Sequence, residues 1–451
     1  MNPPSHLITP PGFSRRGFLR TTSGAVATGA LLGALAPERF AHAAGGGDEL
    51  KIALIGAGGR GSGAANQALS TSAQGPVKLV GIADIHEDNL KRALSNLQKT
   101  HGALVDVPAE RQFTGFDGFK KAIETCDVAI LATPPGFRPM MFEEAVRQGK
   151  HVFMEKPVAS DAAGVRTILA AAEEAKKKNL KVGVGLQRRH QTGYLETVQR
   201  IHDGQIGDIV SASCYWNGNR PWQKKRADLE KTYGRKLTEM EYQLRNWYYF
   251  TWICGDHIVE QHIHNIDVIN WVKKGHPKKA RAMGGREISN GGADDGEIFD
   301  HFAVEFDYDD GTTLYSYCRH QPGCWNSVSE HVVGTKGKAD VGGNKIYGAD
   351  QWRFKADGPP KDPYQQEHDD LFAAIRGDKP YNEAETGATS TMTAILGRMA
   401  AYSGKELEWK AALESKVELL PKELGFDKAA PVQPGPDGLY QRAVPGKTQV
   451  I

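Results

Sequence analysis

Apolar and polar stretches alternate regularly over the first third of the chain. Residues 51–55, 77–83, 127–132 and 151–154 are short, mostly apolar runs, the kind that fill a parallel sheet covered on both faces. Between them, residues 62–70, 89–97, 119–123 and 142–148 carry helical spacing, the last closing at Gly149. Strand and helix in alternation predict a parallel sheet with right-handed crossovers. A helix over 165–178 and a strand over 180–186 follow. The pattern then changes. Residues 209–216, 280–288, 298–308, 312–319 and 329–334 read as strands joined by Gly and Asp turns such as Asp309-Asp310-Gly311. They predict a second domain built on a large, mostly antiparallel open sheet, with closing helices over 365–376 and 388–403. Residues 223–241 are charge-rich and read as a surface insertion, and the chain after about 428 is Pro- and Gly-rich and reads as extended. The expected layout is a leader over 1–47, a first domain over 48–165, a second over 166–428 and a tail over 429–451.

Composition changes this picture little. A net charge of +2 offers no field for nucleic acid. Cys126, Cys214, Cys254, Cys318 and Cys324 show no C-x-x-C spacing and form no disulfide framework or zinc cage; Cys318 and Cys324 could pair in an oxidising compartment, but two unpaired thiols are the expectation. The leader says more. Ser14-Arg15-Arg16-Gly17-Phe18-Leu19-Arg20, an apolar run over 24–36 and Ala41-His42-Ala43 form a twin-arginine export signal with a cleavage site. The run is too short for a stable membrane span, so an exported, periplasmic and soluble mature protein is expected.

Candidate chemistry begins where the first strand ends. Gly56, Gly58 and Gly61 stand in the spacing G-x-G-x-x-G, with Gly59 and Arg60 inside the turn. Such a turn lets a pyrophosphate approach the backbone at the free N–H end of the next helix. The second strand delivers Asp84, placed to take a ribose 2′-OH and to repel a 2′-phosphate. The expected cofactor is therefore NAD, with Lys91 and Arg92 keeping NADP open. Thr133 and Pro134 lie at a strand's carboxyl edge, where the nicotinamide side belongs.

The fourth of these strands leads into Gly-Lys-His-Val-Phe-Met-Glu-Lys-Pro, residues 149–157. With the glycine turn, Asp84 and the Thr-Pro loop in matching order, it resembles the signature of the glucose–fructose oxidoreductase/inositol dehydrogenase family (Gfo/Idh/MocA). The resemblance implies a Rossmann dinucleotide-binding domain followed by an open-sheet domain. It also implies that Glu155 and Lys156 flank the nicotinamide, with Lys156 beside the substrate hydroxyl and Pro157 a candidate for a cis bond. The family often has a histidine after the Thr-Pro loop; here the position holds Arg138. At the end of strand 180–186 the family has a substrate-reaching side chain, which implies Arg189. Trp216 opens a polar–aromatic loop over 217–222 suited to sugar faces.

Residues 255–271 predict one helix whose front carries His257, Glu260, His264, Asp267 and Trp271 and whose back is apolar. The resemblance implies that His264 is the general base, with a pKa near neutrality, and that Glu260 stands where relatives have an acid four residues before it. His257 is a further expected substrate contact. His262 falls on the apolar side. His257, Glu260 and His264 do not match a zinc motif, and no metal is expected. Together these imply an NAD(P)-dependent oxidoreductase acting on a secondary hydroxyl of a sugar, glycoside or cyclitol, with a tightly retained cofactor and a homo-oligomeric assembly. The alternatives are a redox-neutral, NAD-dependent glycoside hydrolase or lyase and a non-catalytic sugar-binding protein.

Overall fold

The structure is a computed structural model describing residues 48–287 and 292–451. The leader with its twin-arginine segment, and the end of the strand expected over 280–288, lie outside the described residues. Among the described residues, no helix is long and apolar enough to cross a membrane.

The first sheet is parallel, with strands β1 (Leu50–Ile55), β2 (Val77–Asp84), β3 (Gln112–Thr114), β4 (Val128–Leu131), β5 (His151–Met154) and β6 (Val182–Val184) in the order β3-β2-β1-β4-β5-β6. Strands β4, β5 and β6 are buried at every residue, as a sheet covered on both faces requires. The first domain therefore does not end at 165: that residue lies inside helix Ala162–Lys177, and β6 beyond it completes the sheet by pairing with β5. The strand expected over 180–186 belongs to this domain and not to the second.

The second sheet has nine strands. They are β7 (Ile209–Gly218), β8 (Lys279–Gly285), β9 (His301–Asp307), β10 (Thr313–His320), β11 (Ser327–Gly334), β12 (Gly337–Asp340), β13 (Lys345–Gly348), β14 (Trp352–Arg353) and β15 (Leu407–Glu408), in the order β14-β13-β12-β11-β7-β10-β9-β8-β15. Every pairing is antiparallel except β7 with β10. The long helix Ala384–Ser403 is buried along most of its length and packs on β8, β9 and helix Ala162–Lys177, locking the two domains together.

The charge-rich stretch 223–241 contains helix Arg226–Tyr233 and the start of Glu239–Arg245. It is not a plain surface insertion. Its charges pair among themselves, as in Arg226–Glu239 and Arg235–Glu241, while Leu229, Tyr233 and Leu244 turn towards the interdomain cavity. The chain after 428 carries no helix or extended ladder and runs over these helices, with Ala430 and Tyr440 buried.

Candidate active site

A cavity of about 950 Å³ runs between the carboxyl ends of the first sheet and the second domain. Its lower wall is the glycine turn. Gly56 has φ +91°, and a Cβ there would lie 2.6 Å from the Thr133 backbone nitrogen. At Gly61 a Cβ would meet the Gly56 carbonyl oxygen at 1.9 Å, so only glycine lets helix Gly59–Ser70 pack this closely. Around Gly58 nothing stands within 4 Å of the Cβ position, which leaves that backbone open to a ligand. No side chain caps the helix, so its first-turn N–H groups face the crevice unpaired by any capping residue.

Asp84 lines the same cavity. Its Oδ2 accepts from the Ala57 N–H (2.7 Å) and its Oδ1 from the His86 N–H (2.8 Å). Burial raises its pKa, opposed by those two bonds. A carboxylate has about four acceptor sites, so capacity remains for a diol. The open backbone, the uncapped helix and this oriented carboxylate fit a dinucleotide. Gly56, Gly58, Gly59, Arg60, Gly61, Asp84, Thr133, Pro134, Glu155 and Lys156 all line the cavity. Arg60 also braces the far end. Its Nε donates to Glu155 Oε1 (2.5 Å) and its Nη2 to the buried Glu367 Oε1 (3.1 Å). Burial and the Glu155 charge together hold the Glu367 carboxyl well above the usual range.

Lys156 follows β5, and the Lys156–Pro157 peptide is cis. Its Nζ donates across the domain boundary to the Glu260 carbonyl (2.6 Å) and to Glu260 Oε1 (3.0 Å). The carbonyl is available because the helix expected over 255–271 is broken. One piece spans His257–Glu260, Gln261 and His262 form a turn, and a second helix runs Ile263–Lys273. Asp256, at φ +72°, starts the first piece by accepting from the His257 N–H.

The break resets the helical phase, and the expected front does not survive it. His264 lines the cavity and stacks on Trp216 (centroids 5.9 Å apart, 24° between planes), with Nδ1 buried and unpartnered. His257 does not line the cavity. It is fully buried against Phe302 and His320, and neither ring nitrogen has a partner. Asp267 turns inward too, and Arg189 reaches it rather than the cavity, with Nε (2.9 Å) and Nη2 (2.8 Å) on the carboxylate and the guanidinium over Trp271. Arg189 and His257 are thus packing and bridging residues in this fold. His262 is buried as expected and contacts Ser316 Oγ (2.7 Å). Among the described residues no group of three or more His, Cys, Asp or Glu is placed to hold a metal ion.

The near-neutral pKa expected for His264 is also corrected. Burial pushes it well below 6.5, and the positive charges of Lys156, Arg188 and Arg60 push the same way. The imidazole is therefore neutral at ordinary pH, the form that accepts a proton. Arg138, at the position where the family often has a histidine, is buried, and its guanidinium donates to the backbone carbonyls of Thr133 and Pro157. It fixes the loop that presents Thr133 and the segment that presents Lys156, and burial lowers its pKa to about 10.

Sequence reasoning missed Trp247, Tyr248 and Gln261, which line the cavity near His264. The Tyr248 hydroxyl is buried without a partner, and Gln261 Oε1 meets His320 Nε2 at 2.8 Å. The aromatic run 247–250 was the available signal, since such rings pair a flat apolar face with a polar tip.

Two family models match this chain. One, described as an oxidoreductase family with an NAD-binding Rossmann fold, covers residues 50–185, and the Gfo/Idh/MocA C-terminal domain covers residues 194–340. Among curated proteins, inositol 2-dehydrogenase of Klebsiella pneumoniae (strain 342) is 34% identical over 169 residues, which is 37% of this chain and 45% of the relative. The chain spans about half the length, or less, of the curated relatives it matches. Solved structures share the fold, two of them as follows. Aldose-aldose oxidoreductase from Caulobacter crescentus, complexed with glycerol, has a TM-score of 0.61 at 18% identity, covering 80% of this chain and 100% of that one. Scyllo-inositol dehydrogenase from Lactobacillus casei, with NAD(H) and scyllo-inositol bound, has a TM-score of 0.59 at 19% identity, with the same coverage. Glycine turn, Asp84, Glu155-Lys156-Pro157 and the open nine-stranded sheet are thus accounted for together: this chain belongs to the Gfo/Idh/MocA oxidoreductase family.

Proposed function

We propose that this protein is an NAD-dependent dehydrogenase that oxidises a secondary hydroxyl of a sugar or cyclitol. The observation that carries the reading is the reach of Lys156 from the first sheet to Glu260 of the second domain, in a cavity that also holds the glycine turn and His264. When bound, a nicotinamide dinucleotide supplies the hydride acceptor. Lys156 Nζ hydrogen-bonds the substrate oxygen and stabilises the charge that gathers there. Neutral His264 takes the hydroxyl proton at a ring nitrogen, and Glu260 holds Lys156 in place. Trp216, Trp222, Trp247 and Tyr248 offer the flat apolar faces that sugar C–H edges pack against. The inositol dehydrogenases among the relatives support the substrate class. Purified protein given NAD and a panel of cyclitols, aldoses and glycosides is expected to develop reduced-nicotinamide absorbance with at least one. Release of free aglycone with no net change in absorbance would replace this reading with the redox-neutral one.

NAD rather than NADP follows from Asp84. Replacing Asp84 with alanine is expected to raise the KM for NAD about 10- to 100-fold, the worth of a charge-assisted hydrogen bond, and to narrow the preference over NADP. Equal use of both dinucleotides by the unaltered protein would reject the assignment.

The twin-arginine segment supports export to the periplasm, and fractionation of cells carrying the Arg15→Lys, Arg16→Lys double variant tests it: undiminished export would reject it. The second sheet supports a homo-oligomer. Tyr215 and Tyr317 stack on its outer face (5.6 Å), Trp325 packs edge-on to Tyr215, and Trp325 and Val328 remain more than half exposed. Light scattering is expected to give a dimer or larger species that Trp325→Asp weakens, and a monomer at all concentrations would reject it.

A further inference from the structure

The end of the cavity that holds Asp84 is roofed by two segments outside the nucleotide-binding sheet. From the first domain, Asp84, His86, Asp88 and Phe116 line this end. Opposite them stand Tyr233 and Arg245 of the insertion helices, with Leu424 of the C-terminal chain beside them. The two sides touch. Arg245 grips Asp88 with both terminal nitrogens (2.8 and 2.7 Å) while its guanidinium lies over the Tyr233 ring (5.0 Å). Phe426 stacks on His86 (5.8 Å, 21°) and meets Phe116 edge-on (5.2 Å, 63°).

The C-terminal segment is tied down along its course. The Leu419 N–H donates to Asp161 Oδ2 (2.7 Å), Thr238 Oγ1 to the Phe426 carbonyl (2.7 Å), and Gln243 Nε2 to the Val432 carbonyl (2.6 Å). Further on, Tyr440 donates to Glu239 and packs on Phe250. Segment and insertion helices are therefore bound to each other as one strap, which is also held at Asp161, at the start of helix Ala162–Lys177 of the first domain, and at Phe250 of the second.

We propose that this strap closes the adenosine end of the dinucleotide crevice and sets the rate at which the cofactor leaves. The proposal rests on the dinucleotide reading of the crevice. Phe426 is a positioning residue: it holds the His86 and Phe116 rings that form the wall beside Asp84. Arg245 latches the insertion to Asp88 at the start of helix Glu87–His101. A dinucleotide leaving by this end must part the Arg245–Asp88 pair and lift Phe426 off two rings. A ligand occupying only the nicotinamide end meets neither obstacle. The strap thus retains cofactor between turnovers, which suits a protein working where free dinucleotide is scarce.

The test is a release experiment. The full chain is loaded with NADH and chased with excess ADP-ribose, and the fall in bound nicotinamide fluorescence gives the dissociation rate. Affinity for nicotinamide mononucleotide, which lacks the adenosine, is measured in parallel. Phe426→Ala is expected to speed NADH release about 10- to 100-fold, as loss of a packed aromatic ring implies. Phe426→Leu should restore most of the retention, and Arg245→Gln should speed release by a smaller factor. Mononucleotide affinity should stay unchanged throughout. Release at the unaltered rate in both Phe426→Ala and Arg245→Gln would overturn the strap while leaving the crevice reading intact. So would an equal loss of affinity for both nucleotides, since that marks general loosening. Absence of any NADH binding to the unaltered protein would instead remove the crevice reading itself.

Discussion

Replacing Lys156 with alanine is expected to lower kcat by about 10²- to 10⁴-fold, the usual worth of a group that assists proton movement in the transition state. The ammonium sits at a strand end, about 14% exposed, with two bonds to one residue of the other domain. In so enclosed a site its charge acts on a reacting oxygen with little screening by water. Dinucleotide affinity should change little, because Asp84 and the glycine turn lie on other elements. Thermal melting run beside the kinetics separates chemistry from folding: removing Lys156 leaves Glu260 unpaired and should cost stability too. Lys156→Met keeps the unbranched chain out to Cε but not the charged nitrogen, and should lose as much rate as the alanine variant. Full turnover in either variant would leave Lys156 with no role in the chemistry of the cavity.

His264→Gln should show a loss of the same order, about 10²- to 10⁴-fold, because glutamine hydrogen-bonds but cannot accept the proton. The pH profile sharpens the test. An exposed histidine protonates near 6.5, and an enzyme relying on one as a base fails below that. Burial first, and then the charges of Lys156, Arg188 and Arg60, hold His264 well below that value. Oxidation is therefore expected to stay level as pH falls through 6.5 and to decline only further into acid. Stability carries a definite sign as well. Above 6.5 the imidazole is neutral in both folded and unfolded chains and contributes nothing. Below 6.5 the unfolded chain takes up a proton that the folded one refuses, so stability erodes as pH falls. His264→Gln should reduce that erosion, as melting temperatures measured across the acid range would reveal. An acid limb for oxidation centred at 6.5 would contradict the burial of this ring.

The first domain was readable because its chemistry is local. Buried parallel strands are nearly unbroken apolar runs, and a glycine turn with an acid one strand later is a short-range pattern. The boundary at 165 failed for a physical reason: β6 contributes only Val182–Val184 and follows a long helix, so nothing local tells which sheet it joins. The stretch 255–271 failed differently. Its spacing fits one helix, but Asp256 at positive φ and the turn at Gln261–His262 divide it. Periodicity alone therefore misplaced His257 and Asp267 while keeping His264. The insertion hid its place in the cavity wall because it is rich in charges, several of which pair with one another, with only a few apolar side chains left for the inner wall. The C-terminal segment has no periodicity, and its contacts with His86 and Phe116 lie more than three hundred residues away in sequence.

The split origin of the cavity's walls bears on how the protein can change over time. The two residues proposed to handle the proton, Lys156 and His264, come from the end of β5 and from helix Ile263–Lys273, both buried among large packed elements. The rings that line the cavity beside them come from the loop around Trp222 and the aromatic run at Trp247 and Tyr248. Those rings touch one another, so under the proposed function drift at 222, 247 and 248 is expected to shift which hydroxyl compound is accepted while leaving Lys156 and His264 in place. Libraries restricted to these three positions should accordingly yield altered preferences far more often than inactive protein.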